Sequence, residues 1–252
     1  MKEWDVSINR GILTGFNEAF IISGEKKREL ISADPKSAEI IRPILRGRDI
    51  NRYGYQFADL YLICTFPSRN YDIENFPAIK KHLLTFGYER LEQSGKCYIV
   101  NGEKIITRKK TNNKWFETQD SISYWDDFYK QKIVWGNLNL AAAYCIAESG
   151  IFVNAPCPMI VPANKYLLSV LNSKLADYYI RNLGVSRNGG YFEYKPMFVE
   201  QLPVPMLPLN EQEPFASLAS LPNQENQREI DILIYKLYKL TTDEIALIEN
   251  LA

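Results

Sequence analysis

The chain has 252 residues and no net charge, because 30 lysines and arginines balance 30 aspartates and glutamates. Hydrophobic residues make up 46% and charged residues 24%, a balance typical of a globular protein with a core of ordinary size. These numbers exclude collagen-like, intrinsically disordered and disulfide-dense proteins. The longest uncharged apolar run, residues 138–146, is too short to span a bilayer.

Residues in the first half of the chain predict short strands mixed with helices. Residues 4–22 indicate a strand, a glycine-bounded turn and a second strand. Residues 25–45 predict a helix in two pieces, broken at Pro35. Residues 61–66 have the length of a strand, and residues 76–91 carry apolar side chains at helical spacing.

The second half begins with strand-like runs and ends in helices. Four short apolar runs, at 133–135, 142–146, 151–153 and 159–161, predict a meander of strands. One long helix is predicted over 164–182, capped by Asn164 and ended by Gly184. We therefore predict an α+β fold: a body of short mixed strands and packed helices over 1–205, a Pro-rich surface linker over 206–222, and a C-terminal helical hairpin over 223–252.

The cysteines and the single histidine restrict the chemistry that the chain can perform. Four cysteines stand at 64, 97, 145 and 157, without a Cys-x-x-Cys pair, and the one histidine is His82. A structural zinc site would need four scattered thiols to converge, and a Ser-His-Asp triad would depend on that one histidine. We predict buried, reduced cysteines in a cytoplasmic protein, a solvent-exposed His82, and no metal site.

Charge is distributed unevenly along the chain. Residues 199–252 carry nine acids and three bases, so the first 198 residues have a net charge of +6. Residues 96–114 hold six bases and one acid. A basic stretch of this kind indicates either an anionic partner or a solvated charged loop, and composition leaves both open.

The sequence carries no recognisable catalytic motif. A Gly-x-x-x-x-Gly-Lys-Ser/Thr loop is absent, and residues 11–15 lack the helix and the acid of a dinucleotide site. The glycine-rich loop and the Asn-Pro-Pro-aromatic motif of methyltransferases are also absent, and Asp34-Pro35 lacks the second acid of a metal-dependent nuclease. We assign no catalytic residue and keep a nuclease with an unrecognised site as an alternative.

Basic residues in three loops form a set suited to nucleic acid. Arginine can donate two hydrogen bonds to guanine, asparagine pairs with adenine, and lysine contacts phosphates. Five neighbouring aromatic residues are either stacking surfaces or parts of the core: Trp115, Phe116, Tyr191, Phe192 and Tyr194. The candidate DNA contacts are Arg46, Arg48, Arg52, Lys104, Arg108, Lys109, Lys110, Lys114, Arg187 and Asn188.

Several segments, taken in order, carry a resemblance to a known family. They include residues 11–20, which begin Gly-Ile-Leu-Thr-Gly-Phe-Asn, residues 44–53, which contain Leu-Arg-Gly-Arg-Asp-Ile, and Trp-Phe-Glu at 115–117. The others are residues 132–134, 166–173, 189–205 and 230–241. Together they resemble the TaqI-like C-terminal specificity domains of type IIG restriction-modification enzymes and N6-adenine DNA methyltransferases.

The resemblance implies that the chain recognises a double-stranded DNA sequence for a bacterial system of this kind. It also implies that catalysis belongs to a methyltransferase or endonuclease domain, in the same parent chain or in a separate subunit. S-adenosylmethionine and Mg²⁺ would then be cofactors of that domain, so that this chain is not an enzyme and needs no cofactor or membrane. The alternative is a subunit-docking domain with little DNA specificity, since exposed amphipathic helices such as those in 223–252 often bind a protein partner.

Overall fold

A computed structural model describes residues 1, 3–100 and 102–251. Its strands are β1 (Ser7–Arg10), β2 (Ile21–Ser23), β3 (Ile41–Leu45), β4 (Ile50–Asn51), β5 (Gly54–Tyr55), β6 (Leu60–Ile63), β7 (Cys97–Val100), β8 (Glu103–Ile106), β9 (Lys132–Trp135), β10 (Leu138–Asn139), β11 (Tyr144–Ala147), β12 (Phe152–Val153), β13 (Pro158–Val161), β14 (Ser186–Arg187) and β15 (Tyr191–Glu193). Its α-helices are α1 (Asn17–Phe20), α2 (Gly24–Ala33), α3 (Pro77–Leu84), α4 (Tyr88–Leu91), α5 (Lys165–Leu171), α6 (Lys174–Leu183), α7 (Pro196–Val199), α8 (Leu209–Ser220), α9 (Gln224–Leu237) and α10 (Thr242–Leu251). This mixture of short strands and packed helices confirms the predicted α+β fold.

An antiparallel sheet in the order β1-β13-β9-β11 separates two hydrophobic cores. Successive side chains of a strand point to opposite faces of its sheet. In β9, Val134 therefore belongs to the first core, whereas Ile133 and Trp135 belong to the second. The helices α5 and α6 cover the second face with residues such as Leu167 and Ile180.

A second sheet, in the order β12-β3-β6-β2, packs in the first core. Strand β12 runs parallel to β3, and the other neighbours are antiparallel. The rings of Phe128 and Phe152 stack in this core with centroids 4.3 Å apart. The four strands predicted within 133–161 are thus confirmed as β9, β11, β12 and β13, but they do not form a meander because β12 joins β3.

Three of the predicted helices differ in the structure, and the one over 76–91 is divided into α3 and α4 at Gly87, whose φ is 86°. Helix α2 ends before Pro35, but residues 35–40 form a short 3-10 helix, and the residues that follow form β3. The physical reason is that Pro43 cannot continue a helix, while the β-branched Ile41 and Ile44 pack well on a sheet.

The helix predicted over 164–182 is likewise two helices, α5 and α6, divided at Asn172 and Ser173. The amide of Asn172 accepts from Tyr144 N at 3.0 Å and donates to Tyr144 O at 2.9 Å. Ser173 caps α6 by accepting from Ala176 N at 3.1 Å. The hydrogen bonds between the Asn172 side chain and the backbone of β11 therefore accompany the break between α5 and α6.

Residues 206–222 were predicted to be a linker, and this prediction is wrong for most of the segment, because α8 occupies 209–220. The prolines of this segment favoured a linker over a helix in the prediction. Phe215 and Ala219 are nevertheless apolar residues at helical spacing, and both are buried. The rings of Phe215 and Tyr166 lie 5.1 Å apart, which fixes α8 against α5. The division of the chain at 205 and 222 stays a prediction.

The C-terminal hairpin is present as α9 and α10. Ile230 and Ile234 of α9 are buried in the second core. The carboxylate of Asp231 accepts from Lys174 N at 2.9 Å, and the side chain of Lys174 pairs with Glu249 of α10. The hairpin therefore packs on α6. Within the described ranges, no helix is both long enough and apolar enough to cross a membrane.

Candidate nucleic-acid interface

A surface cleft of about 600 Å³ opens where the turn after β3, the segment after β9 and the start of β15 meet. We call it the arginine cleft; its lining residues are Gly47, Arg48, Ile50, Arg52, residues 136–143, Pro156, Cys157 and Tyr191. Among these residues, all of which the structure describes, Arg48 and Arg52 are cations and none is acidic. The cleft is therefore electrostatically suited to an anionic ligand.

The turn that begins at Arg46 presents Arg48 and Arg52 to the cleft. Arg46 donates from Nε and Nη2 to the buried carboxylate of Asp49, at 3.0 and 2.8 Å, and Arg46 N donates to it at 2.8 Å. The side-chain hydrogen bond to Asp49 raises the pKa of Arg46. These two side-chain donors of Arg46 thus hold the turn, whereas Arg48 and Arg52 are exposed, Arg52 with one hydrogen bond from Nε to Ala142 O at 3.2 Å.

Asp177 of α6 supports the floor of the arginine cleft. Its Oδ1 accepts from Ala142 N at 2.9 Å and from the hydroxyl of Tyr194, and its Oδ2 pairs with Arg181 Nη2 at 2.9 Å. Arg181 also donates to Leu140 O at 2.7 Å. We did not predict this network from the sequence; its one signal there is an acid on the apolar face of a helix.

The small sheet β10-β15-β14 forms one side of the arginine cleft. Its register pairs Leu138 with Glu193 and Arg187 with Tyr191, so these four side chains share one face. Arg187 donates from Nε to Glu193 Oε1 at 2.7 Å, and Lys195 Nζ lies 2.7 Å from Glu193 Oε2. The hydrogen bonds from Lys195 and Arg187 lower the pKa of Glu193.

The turn between β14 and β15 holds the exposed Tyr191 at the cleft. Gly189 and Gly190 have φ angles of 80° and 79°, a conformation that favours glycine. Asn188 is exposed on the same turn. Among the five candidate aromatic residues, Phe116 and Tyr194 are buried and belong to the core, whereas Tyr191 is 43% exposed. Trp115 and Phe192 are half-buried, so Tyr191 is the most exposed of the five.

The remaining candidate lysines lie on a different surface. Lys104 is on β8, and Lys109 follows this strand; both are exposed. Lys110 and Lys114, together with Lys96, line a depression that shares no lining residue with the arginine cleft. The three predicted loops therefore form two basic surfaces. Contact of their exposed residues with DNA stays a prediction.

Arg108 is buried, which contradicts its prediction as a DNA contact. Its side chain donates from Nε to Leu91 O at 2.8 Å, from Nη1 to Thr14 O at 3.0 Å and to Glu117 O at 2.7 Å, and from Nη2 to Trp115 O at 2.5 Å. Burial lowers its pKa to about 10. The guanidinium thus joins three segments of the first half of the chain, around residues 14, 91 and 115–117, to its own.

The cysteines and His82 also differ from the predictions. Cys64, Cys145 and Cys157 are buried as predicted, but Cys97 is exposed. Burial raises the pKa of Cys145 and of Cys157 to about 12. His82 is half-buried, with Nε2 3.0 Å from Ala19 O, and burial lowers its pKa. Over the described residues, no three His, Cys, Asp or Glu side chains are grouped to hold a metal ion.

Comparison with solved structures shows two similar chains. The first is the type IIL restriction-modification enzyme MmeI in complex with DNA, with a TM-score of 0.65 and 14% identity over 95% of this chain. The second is the type IIG restriction endonuclease BpuSI, with a TM-score of 0.55 and 14% identity over 98% of this chain. This chain covers 34% of the first enzyme and 29% of the second, about a third of their length. At identities this low, the structural similarity shows a shared fold alone.

Comparison with protein families gives a match that covers more than half of the chain. A search of curated protein sequences found no match to this chain. Residues 42–204 match the family described as the TaqI-like C-terminal specificity domain. That range includes every residue that lines the arginine cleft, and it confirms the resemblance in the sequence. The chain belongs to the family of TaqI-like C-terminal specificity domains.

Proposed function

We propose that this chain recognises a double-stranded DNA sequence for a restriction-modification enzyme, and that the arginine cleft contacts the DNA. The observation that carries the proposal is the exposure of Arg48 and Arg52 in a cleft whose lining lacks acidic residues. The family match and the fold shared with MmeI, which was solved with DNA, support it.

The side chains around the arginine cleft suit both parts of DNA recognition. Arg48 and Arg52 can contact phosphates or the edge of guanine, and the amide of the exposed Asn188 can pair with adenine. Leu138, Leu140 and Tyr191 are 52%, 56% and 43% exposed and provide apolar contact area beside these polar groups. A cleft of about 600 Å³ is too small to hold a whole duplex, so only a part of the DNA surface would enter it.

The proposal places methyl transfer and cleavage outside this chain. A catalytic domain of the same parent chain, or a separate subunit, would bind S-adenosylmethionine and Mg²⁺ and act on adenine. The size of MmeI and BpuSI supports this division, because each is about three times as long as this chain. The alternative of a subunit-docking domain has less support, because Ile230 and Ile234 of the C-terminal hairpin are buried in this chain's own core.

A pair of charge-matched double variants tests the proposal. R48A/R52A removes the two cations of the arginine cleft, whereas the control K81A/K236A removes two exposed lysines of α3 and α9. Binding to duplex DNA is measured by fluorescence anisotropy between about 50 and 200 mM salt. We expect R48A/R52A to bind at least about tenfold more weakly and, where both arginines contact phosphates, to lower the salt slope by about 2. Equal binding by the two double variants would contradict the proposal.

A further inference from the structure

The hairpin of β7 and β8 presents one apolar face to solvent. The strands pair antiparallel with Cys97 opposite Ile106 and Ile99 opposite Lys104, so these four side chains lie on one face. Ile99 is 80% exposed and Ile106 is 55% exposed. We call this face the ribbon face. Two largely exposed isoleucines at diagonal positions of one face are unusual for a surface that contacts only water.

The opposite face of the hairpin turns towards the body of the protein. Tyr98 and Ile105, which are paired there, are half-buried. The hydroxyl of Tyr98 donates to Glu92 Oε2 at 2.7 Å, and Arg90 Nη1 donates to Ile106 O at 2.5 Å. The orientation of the hairpin is therefore fixed, and the ribbon face points outward.

The base of the hairpin is held by buried groups. Thr107 N donates to Lys96 O at 3.0 Å, and Gly95 N donates to Arg108 O at 3.0 Å. Gln93 is buried and donates from Nε2 to the carbonyl oxygens of Lys114 and Glu117, at 3.1 and 3.0 Å. A preorganised element of this kind pays little ordering entropy when it binds.

The charges around the ribbon face indicate an anionic partner. Five exposed lysines lie in 96–114, and the single acid there is Glu103; the lysines are Lys96, Lys104, Lys109, Lys110 and Lys114. A two-stranded ribbon fits the major groove of B-DNA, where the thymine methyl group offers an apolar contact. Lysines beside the ribbon would lie near the phosphates that border the groove.

We infer that the ribbon face enters the major groove of duplex DNA, with Ile99 and Ile106 against thymine methyl groups and the neighbouring lysines on the phosphates. The inference rests on the proposed function and adds a second contact surface to the arginine cleft. It also gives the hairpin a role in base selection, which its charge alone would not provide.

The exposed thiol of Cys97 allows a test on the unaltered chain. Cys97 lies on the ribbon face, and the other three thiols are buried. We expect a saturating duplex to slow alkylation of Cys97 by N-ethylmaleimide at least tenfold, and high salt to restore the rate. A rate unchanged by bound duplex would overturn the inference, and so would protection that rises with protein concentration in the absence of DNA, because that indicates contact between copies.

Substitution of the isoleucines tests the base contact itself. Replacing every thymine of the duplex by uracil removes the methyl groups, so it should weaken binding of the unaltered chain several-fold. The same replacement should leave the affinity of I99S/I106S for the duplex unchanged. The matched control is I232S/L247S, which alters two residues of α9 and α10 that are 49% and 51% exposed. If R48A/R52A weakens binding but uracil and I99S/I106S have no effect, the proposed function holds and the ribbon inference fails. If the unaltered chain binds no duplex at any salt concentration, both fail.

Discussion

Arg108 provides a sharp test of the structural account, because the sequence placed it among lysines that we expect to contact DNA. The structure instead gives its guanidinium four carbonyl acceptors and the ring of Phe20, whose centroid lies 5.0 Å away. We therefore predict that R108A destabilises the fold, whereas K109A/K110A leaves stability unchanged.

The magnitude follows from the acceptors that R108A would leave behind. The carbonyl of Glu117 keeps a donor in Gln93 Nε2, and that of Thr14 keeps Gln119 N. The carbonyls of Leu91 and Trp115 lose the guanidinium, and each buried acceptor left unsatisfied costs about 1–3 kcal/mol. For the two acceptors and the lost packing of the side chain together, we expect the free energy of unfolding to fall by about 3–5 kcal/mol.

Urea denaturation followed by tryptophan fluorescence measures this loss. Thermal denaturation gives a second measurement. For a chain of this size, a loss of 1 kcal/mol in the free energy of unfolding lowers the melting temperature by about 2–4 °C, so R108A should melt at least about 6 °C below the unaltered chain. A R108A variant as stable as the unaltered chain, but defective in DNA binding, would refute the reasoning and return Arg108 to the DNA contacts. K109A/K110A should show the opposite pattern, with normal melting and a smaller salt slope.

Two further predictions concern Asp177 and Lys132. D177A leaves Ala142 N, the hydroxyl of Tyr194 and a partly buried Arg181 without this acceptor, so it should cost about 3–5 kcal/mol in urea denaturation; an unchanged midpoint would contradict the network. Burial lowers the pKa of Lys132 from 10.5 to about 8, so the unfolded chain binds more protons between these values. The stability of the unaltered chain should therefore rise relative to K132M from about pH 8 to 10.5, and a difference that falls or stays flat there would contradict this.

The sequence was most informative where local chemistry decides the structure. Residues 133–135 and 160–161 are β-branched or aromatic and lie in β9 and β13, and Asn164 caps α5 as predicted, accepting from Leu167 N at 2.9 Å. The family resemblance is confirmed because residues 42–204 match the family, a range that includes the motifs at 45–50, 115–117, 132–134 and 166–173.

The sequence was least informative where residues distant in the chain decide the structure. The burial of Arg108 depends on carbonyls at 14, 91, 115 and 117, which belong to three separate segments. Asp177 reaches back 35 residues to Ala142 to support the arginine cleft. Prolines at 208 and 214 concealed α8, because only its packing on α5 shows that Phe215 is a core residue. Neither the periodicity nor the composition of the sequence predicts these contacts.

The most direct test of the central claim is selection of this chain's ligands from a pool of randomised duplexes at low salt, followed by sequencing of what is retained. We expect an enriched motif that R48A/R52A loses or degrades and that K81A/K236A preserves. Retention of duplexes without any enriched motif, or no retention at all, would contradict the claim that this chain recognises a DNA sequence.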